Sequence, residues 1–168
     1  DTGDRRNSGS FASLAGLESA IAAKYELAVT TAIARMLMGY ALMASFGGLP
    51  LLYMGDELGL LNDYSFTDDP TKAHDNRWLH RPKMNWKLAK KRHDAGSIEG
   101  RLFSGVKHIL ERRRASPHLA ATCPTTIIDI GHPQIFAFKR DSALGPMLAL
   151  SNFSESPQYL PRSWLEGH

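Results

Sequence analysis

The chain has 168 residues, of which 43% are hydrophobic, 22% charged and 9% aromatic. This balance is typical of a globular protein and differs from the charge-rich, aromatic-poor composition of disordered chains. The single cysteine, Cys123, has no intrachain partner, which excludes a scaffold held together by internal disulfides. The formal net charge of +3 permits acidic ligands without indicating nucleic acid.

Residues 16–46 have the pattern of a long helix and contain no proline. Apolar residues recur at spacings of three, four and seven, and the second half is apolar nearly all round, as in a helix with neighbours on most sides. Gly47-Gly48 supplies the stop, because glycine readily adopts the left-handed conformation found at helix ends. The uncharged stretch 36–54 is long enough to span a bilayer. Since two glycines and Pro50 interrupt it and charges flank it closely, we expect a helix followed by a short strand, and no membrane partner.

Residues 49–54, Leu-Pro-Leu-Leu-Tyr-Met, form a short apolar run without alternation. Such a run is typical of a strand buried on both faces in a parallel sheet, and proline is tolerated at its start. Helix, tight turn and buried strand together make half of an α/β unit. A parallel strand cannot exist alone, and the sequence offers no second candidate, so we expect the chain to be a piece of a larger protein.

The rest of the chain predicts a long loop, a second helix and a small sheet. Residues 62–95 show no sustained period, and so long a loop is usually functional when it follows a parallel strand. An amphipathic helix is predicted from about residue 97 to residue 115, where Ser116-Pro117 stops it. A meander of two to four antiparallel strands is predicted from three β-rich runs, at 125–130, 135–140 and 147–151.

Asp56 and Glu57 directly follow the predicted strand, which is where barrels and open sheets place their sites. Paired carboxylates can hydrolyse glycosides, one as the acid and the other as base or nucleophile. Neighbouring residues on an extended chain point to opposite faces, however, which disfavours the attack of both on one bond. We therefore favour hydrogen bonding of these carboxylates to the loop backbone.

The stretch from Lys72 to Pro82 holds two arginines, two histidines, an aspartate and a tryptophan. His74, Asp75 and His80 do not have the spacing of a dedicated metal site, so no metal is expected. Arginine beside an aromatic side chain suits sugar recognition or a carboxylate partner, and equally the pinning of loop carbonyls. The basic run 87–93 lacks an aromatic platform and a glycine-rich motif, which favours a solvated helix face over nucleic-acid binding.

Gly48-Leu-Pro-Leu-Leu-Tyr-Met-Gly-Asp-Glu57 resembles the last barrel strand of the α-amylase family of glycoside hydrolases, with its Gly-x-Pro-x-x-Tyr-x-Gly-x-Glu pattern. Further motifs are similar to the sucrose-active branch of that family, the amylosucrases and sucrose hydrolases: Thr2-Gly-Asp-Arg-Arg6, Ala12-Ser-Leu-Ala-Gly16, Leu61-Asn-Asp63, Asp75-Asn-Arg-Trp78, His80-Arg-Pro82 and Leu150-Ser-Asn-Phe-Ser-Glu155. Together these motifs cover nearly the whole chain in the expected order. The sequence departs from the best-known member of the branch at residues 64–67 and around Arg5, which leaves hydrolysis and chain elongation both open.

The resemblance implies the last part of a (β/α)8 TIM barrel followed by the start of an antiparallel β domain. Residues 1–116 would hold helix seven, strand eight, the long loop and helix eight of the catalytic barrel. Residues 117–168 would begin the C-terminal β-sheet domain. The family's nucleophile, acid/base and third catalytic aspartate would all lie upstream of Asp1, so the chain by itself is expected to be inactive.

The resemblance also implies secondary site positions within the chain. Arg77 would pair with an upstream acid and close the bottom of the glucosyl pocket, and Arg6 would lie near the acceptor subsites. Five residues would support the loop and the strand end: Asp56, Glu57, Asp75, His80 and Arg81.

We therefore expect the C-terminal part of a sucrose-active enzyme that transfers glucose from sucrose to water or to an α-glucan, without a cofactor. The alternatives are a trehalulose- or trehalose-forming isomerase of the same family and a non-catalytic carbohydrate-binding or interaction module. The lone buried strand argues against a module, and a fragment that contains it is expected to self-associate through exposed apolar surface. Because residues 1–10 are polar with mixed charge, they do not form a signal peptide, and we expect a cytoplasmic protein whose true N-terminus lies upstream.

Overall fold

The computed structural model describes residues 8–161, which contain helices in the first two thirds and strands in the last third. The helices and strands are α1 (Phe11–Leu14), α2 (Leu17–Ala22), α3 (Glu26–Phe46), α4 (Trp86–Lys90), α5 (Ile98–Ala115), β1 (Thr125–Ile128), β2 (Ile135–Ser142) and β3 (Gly145–Asn152). Two compact units divide the described residues: 8–39 with 51–108, and 40–50 with 109–161. The assignment of residues 1–116 to a barrel and of 117–168 to a β domain stays a prediction.

The helix predicted over residues 16–46 is in fact two helices, with a break at Lys24. Lys24 adopts a left-handed backbone conformation with φ of 53°, and its N–H donates to the carbonyl of Ile21 at 3.0 Å. The next N–H, that of Tyr25, reaches back to the carbonyl of Ala20 at 3.2 Å. This pair of bonds is a Schellman motif, which satisfies the last carbonyls of α2 and turns the chain into α3.

Helix α3 is long and apolar enough to cross a membrane by length and composition alone. Of its most apolar 18-residue window, 33% is buried within the described structure. The core helix of a soluble protein meets the same criteria.

Helix α3 contacts helix α5 in the first unit, where Arg101 of α5 pairs with Glu26 of α3 at 2.9 Å. Gly105 makes this contact close, since a Cβ there would stand 2.6 Å from Cδ2 of Leu37. The buried side chains of the unit come from α1 to α5 and from the start of the long loop: Ala12, Leu17, Ala20, Val29, Ala32, Ile33, Met36, Leu58, Leu60, Ala89, Leu102 and Val106. The amphipathic helix predicted from residue 97 to 115 is confirmed as α5.

The prediction of a buried strand at residues 49–54 is wrong for the described structure. No strand is assigned there, and the side chains of Leu49 and Leu51 are 90% and 82% exposed. A parallel strand exists only through hydrogen bonds to its neighbours. The three strands among residues 8–161 belong to one antiparallel sheet that does not include this segment, so its backbone has no ladder to join.

The predicted antiparallel meander is confirmed in the second unit. The strand order is β1-β2-β3, with Thr125 opposite Arg140 and Ser142 opposite Gly145 across the hairpin. Alternate residues of β2 share one face, where the ring of Phe138 lies 5.3 Å from that of Phe46 in an edge-on arrangement. The end of α3 and this sheet face therefore form the core of the second unit.

Candidate functional site in the loop of residues 55–82

The loop opens with a tight turn at Gly55. Gly55 has φ of 94°, and its N–H donates to Oε2 of Glu57 at 2.9 Å. A 3-10 turn, Asp56–Leu58, follows, and both carboxylates are half-buried. Glu57 thus binds loop backbone, as the geometric argument against a shared carboxylate pair predicts.

Asn62 fastens the loop to the start of the chain within the first unit. Its Oδ1 accepts from the N–H of Ser10 at 2.8 Å, and its own N–H donates to Oγ of Ser13 at 3.1 Å. Its Nδ2 donates to Glu18 at 3.3 Å and to the hydroxyl of Tyr64 at 3.2 Å. One amide side chain therefore joins the loop to α1 and α2, a role that sequence reasoning missed because the Leu-Asn-Asp motif gives no sign of these partners.

The middle of the loop closes on itself between Asp63 and Leu79. The N–H of Asp63 donates to the carbonyl of Leu79 at 2.8 Å. The carboxylate of Asp63 accepts from the hydroxyl and N–H of Ser65, and these bonds lower the pKa of that carboxyl. Residues 64–78 therefore form an inner loop that is closed at its base. The structure has two short 3-10 turns here, Tyr64–Asp68 and Asn76–His80, where the sequence predicts only irregular chain.

Asp75 and Arg77 form an ion pair within residues 64–78. Nε of Arg77 lies 2.8 Å from Oδ1 and 3.0 Å from Oδ2 of Asp75, and Nη2 lies 2.8 Å from Oδ2. The same carboxylate accepts from the main-chain N–H of Arg77 at 3.0 Å and caps the turn Asn76–His80. The bonds from the Arg77 side chain and main chain lower the pKa of Asp75 to about 2 and raise that of Arg77.

Two cations of the loop lie over the ring of Trp78. Nζ of Lys72 is 5.3 Å from the ring centroid and Cζ of Arg81 is 5.9 Å from it, both within cation–π range. Lys72 is itself paired with Asp69 at 2.7 Å. Arg81 therefore supports the loop through the Trp78 ring, whereas Arg77 is held by a carboxylate.

The other predicted site residues do not join this group. His80 is half-buried, and its buried Nδ1 has no hydrogen-bond partner among residues 8–161. No group of three or more histidine, cysteine or acidic side chains in that range is arranged to hold a metal ion. Arg6 lies outside the described residues. A cavity of about 390 Å³ in the first unit is lined by Asn62 and Asp63, but by none of Asp75, Arg77, His80 and Arg81.

Comparison with known proteins supports the fold. No protein-family model matches the chain. Its structure is similar to that of a trehalulose synthase mutant solved in complex with Tris, with a TM-score of 0.51 and 17% sequence identity. The match covers 76% of this chain and 31% of that one, so the chain spans about a third of the length of its structural neighbour. The helices and the three-stranded antiparallel sheet of the chain are thus compatible with the fold of a TIM-barrel enzyme.

Proposed function

We propose that this chain is part of a sucrose-active enzyme of the α-amylase family, of the amylosucrase and sucrose hydrolase type. In this proposal residues 1–116 are the end of the catalytic barrel and residues 117–168 begin the C-terminal β domain. The complete enzyme transfers glucose from sucrose to water or to an α-glucan, with retention and without a cofactor or metal. Helix α3 is a barrel helix that packs on its neighbours and does not enter a membrane, and the enzyme acts in the cytoplasm.

The observation that carries the proposal is that the loop holds one edge of the Arg77 guanidinium and leaves the side chain exposed. Asp75 occupies Nε and one side of Nη2, while the side chain as a whole is 62% exposed. Among residues 8–161, Nη1 has no hydrogen-bond partner. An arginine held in this way can still bind a second carboxylate with its outer edge, because the guanidinium has five N–H donors. The ordered series of motifs supports this assignment, and the structural likeness to a trehalulose synthase supports the fold that it requires.

The chemistry of retention needs a carboxylate nucleophile and a carboxylic acid on opposite sides of the scissile bond. The resemblance places both outside this sequence, so the role of the chain's own residues is to bind the sugar and to shape the glucosyl pocket. Arg77 pairs with a carboxylate on the barrel and closes the pocket behind one glucose, which favours short donors over internal bonds of a glucan. Asn62 and the Asp63–Leu79 closure hold the loop that carries Arg77.

A trehalulose-forming isomerase is the second candidate, since the structural neighbour carries that activity in its name. At 17% identity the likeness concerns the fold, which is shared by enzymes of different specificity. The products of sucrose turnover by the complete enzyme distinguish the two candidates. Free fructose with glucose or glucan supports the proposed function, whereas trehalulose as the main product would replace it with isomerisation.

The chain by itself tests the assignment of the catalytic carboxylates. We expect the purified 168-residue chain to release no fructose from sucrose, because loss of the nucleophile and acid costs many orders of magnitude in rate. Fructose release that scales with the concentration of this chain would contradict the assignment. In the complete enzyme, Arg77→Ala should strongly reduce sucrose turnover, and Arg81→Ala should have a smaller effect because Arg81 lies over the Trp78 ring.

A further inference from the structure

We propose that Asp75 is a positioning residue for Arg77. Its carboxylate holds the inner edge of the guanidinium, formed by Nε and Nη2. The outer edge, formed by Nη1 and the other side of Nη2, is thereby turned towards an acidic or polyhydroxyl partner. This inference rests on the proposed function, in which Arg77 binds a carboxylate at the floor of the glucosyl pocket.

The carboxylate of Asp75 binds both the main chain and the side chain of Arg77. It accepts from the main-chain N–H at 3.0 Å and from Nε at 2.8 Å, and it lies 2.8 Å from Nη2. A free arginine side chain loses rotamer entropy when it is ordered. Because Asp75 has already ordered Arg77, a ligand that binds the outer edge avoids most of this cost.

The outer edge of the guanidinium has the geometry for a single carboxylate. Asp75 accepts from the N–H of Nε and lies 2.8 Å from Nη2, which leaves Nη1 and the outward N–H of Nη2 for another partner. The side chain of Asp75 is 19% exposed and that of Arg77 is 62% exposed, so the pair has a shielded side and an open side. Two parallel N–H groups on the open side match the oxygens of a carboxylate or neighbouring hydroxyls of a sugar.

The frame around the pair does not depend on the Asp75 charge. The N–H of Asp63 donates to the carbonyl of Leu79 and closes the loop, and Lys72 and Arg81 both lie over the ring of Trp78. Asparagine at position 75 keeps an oxygen that can accept from the main-chain N–H of Arg77 and cap the turn. Asp75→Asn therefore removes the ionic hold on the guanidinium and leaves the turn in place.

The control is Asp69→Asn in the same inner loop, residues 64–78. Asp69 accepts from the N–H of Thr71 at 3.0 Å and pairs with Lys72 at 2.7 Å, so it has the same local bond and an ionic partner. Its partner is not Arg77. The two substitutions thus remove the same charge from the same loop, and only one of them touches the proposed function.

The test has two measurements. In the 168-residue chain, hydrogen exchange at Nε of Arg77 should accelerate on the order of tenfold in Asp75→Asn, with the amide of Asp63 unchanged and with no effect of Asp69→Asn. In the complete enzyme, Asp75→Asn should lower kcat/KM for sucrose on the order of tenfold to a hundredfold, as misplacement of a binding group does. Asp69→Asn should stay close to wild type.

Each other outcome is decisive. Unchanged exchange at Nε in Asp75→Asn would show that Asp75 does not hold the guanidinium and would overturn the inference. Wild-type kcat/KM in Asp75→Asn, with turnover lost in Arg77→Ala, would overturn it and leave the proposed function standing. Normal turnover in Arg77→Ala would contradict the pocket role of Arg77 in the proposed function, and with it any catalytic use of the pair.

Discussion

Nη1 of Arg140 donates a hydrogen bond to the main-chain oxygen of Phe46, the last residue of α3, at 2.6 Å. Arg140 is fully buried in the second unit, and its other partners are the carbonyls of His118 and Ala120 and the hydroxyl of Thr125. Among the described residues none of these partners is a carboxylate, so carbonyl dipoles replace water around the cation. One side chain thereby joins the end of α3, the segment before β1 and the middle of β2.

Replacement of this arginine should be among the most damaging single changes in the chain. Arg140→Met keeps a long side chain but removes the charged donor to the carbonyls of Phe46, His118 and Ala120, and a hydrogen bond to a charged group contributes about 1.5–3 kcal/mol. The carbonyls of Phe46 and Ala120 keep a second donor, the Thr125 hydroxyl and the Cys123 N–H respectively. We expect the free energy of unfolding in urea to fall by roughly 3 kcal/mol or more.

Lys139→Met is the matched control on the same strand. Lys139 is half-buried and pairs only loosely with Asp141, at 3.5 Å. A surface pair of this kind contributes about 0–1 kcal/mol, so the change should be small. Equal effects of the two substitutions would show that the Arg140 bonds do not stabilise the second unit.

The carboxyl of Asp75 should titrate far below an ordinary aspartate. Bonds from Arg77 hold its pKa at about 2, against 3.8 for the unperturbed group. Because the native pKa is the lower one, the pair stabilises the fold fully above 3.8 and loses this effect as the pH falls towards 2. A 13C NMR titration of aspartate carboxyls in the intact chain measures the midpoint.

In Arg77→Ala the midpoint of Asp75 should rise only part of the way to 3.8, because the main-chain N–H of residue 77 remains a donor. Arg81→Ala should raise it less, since Arg81 acts on Asp75 only through its charge. A larger rise in Arg81→Ala than in Arg77→Ala would contradict the contacts of the Asp75 carboxylate.

Lys24→Gly should stabilise the protein. Lys24 has φ of 53°, a conformation that costs a residue with a Cβ about 1–2 kcal/mol and that glycine adopts freely. Glycine also adds entropy to the unfolded chain, so we expect a net gain of about 0.5–1 kcal/mol. Thermal unfolding followed by circular dichroism measures it. Ala28→Gly, inside α3, is the control and should destabilise by about 1 kcal/mol, and a loss of stability in both variants would contradict the Schellman motif at Lys24.

The segment 49–54 should make the isolated chain bind hydrophobic dyes and associate. Leu49, Leu51 and Met54 are 90%, 82% and 58% exposed, a concentration of apolar surface that recruits partners. The double substitution Leu49→Ser and Leu51→Ser should reduce dye binding and the mean mass in light scattering, with little change in stability because both side chains are exposed. Leu144→Ser, at a residue 70% exposed in the β2–β3 turn, is the control. A monomeric wild-type chain that ignores the dye would contradict this proposal.

Local pattern was enough to predict the second helix and the three strands. The apolar stripe of α5 and the β-rich runs of β1 to β3 are properties of neighbouring residues, and the antiparallel order follows from short connections between consecutive strands. Local pattern was not enough at Lys24, where a non-glycine residue occupies a position that usually requires glycine. It also failed at residues 49–54, because a run of apolar residues becomes a strand only beside other strands.

The sequence by itself determined which residues carry the candidate site, since Asp75, Arg77, Trp78 and Arg81 all fall within one short polar loop. Only the tertiary structure decided which partner each arginine has: Arg77 binds Asp75, while Arg81 lies with Lys72 on the ring of Trp78. It alone decided that Asn62 ties the loop to α1 and that Arg140 is buried. The physical reason is the same in each case, because a polar side chain has many bonding partners of equal strength, and the fold determines which of them lies within 3 Å.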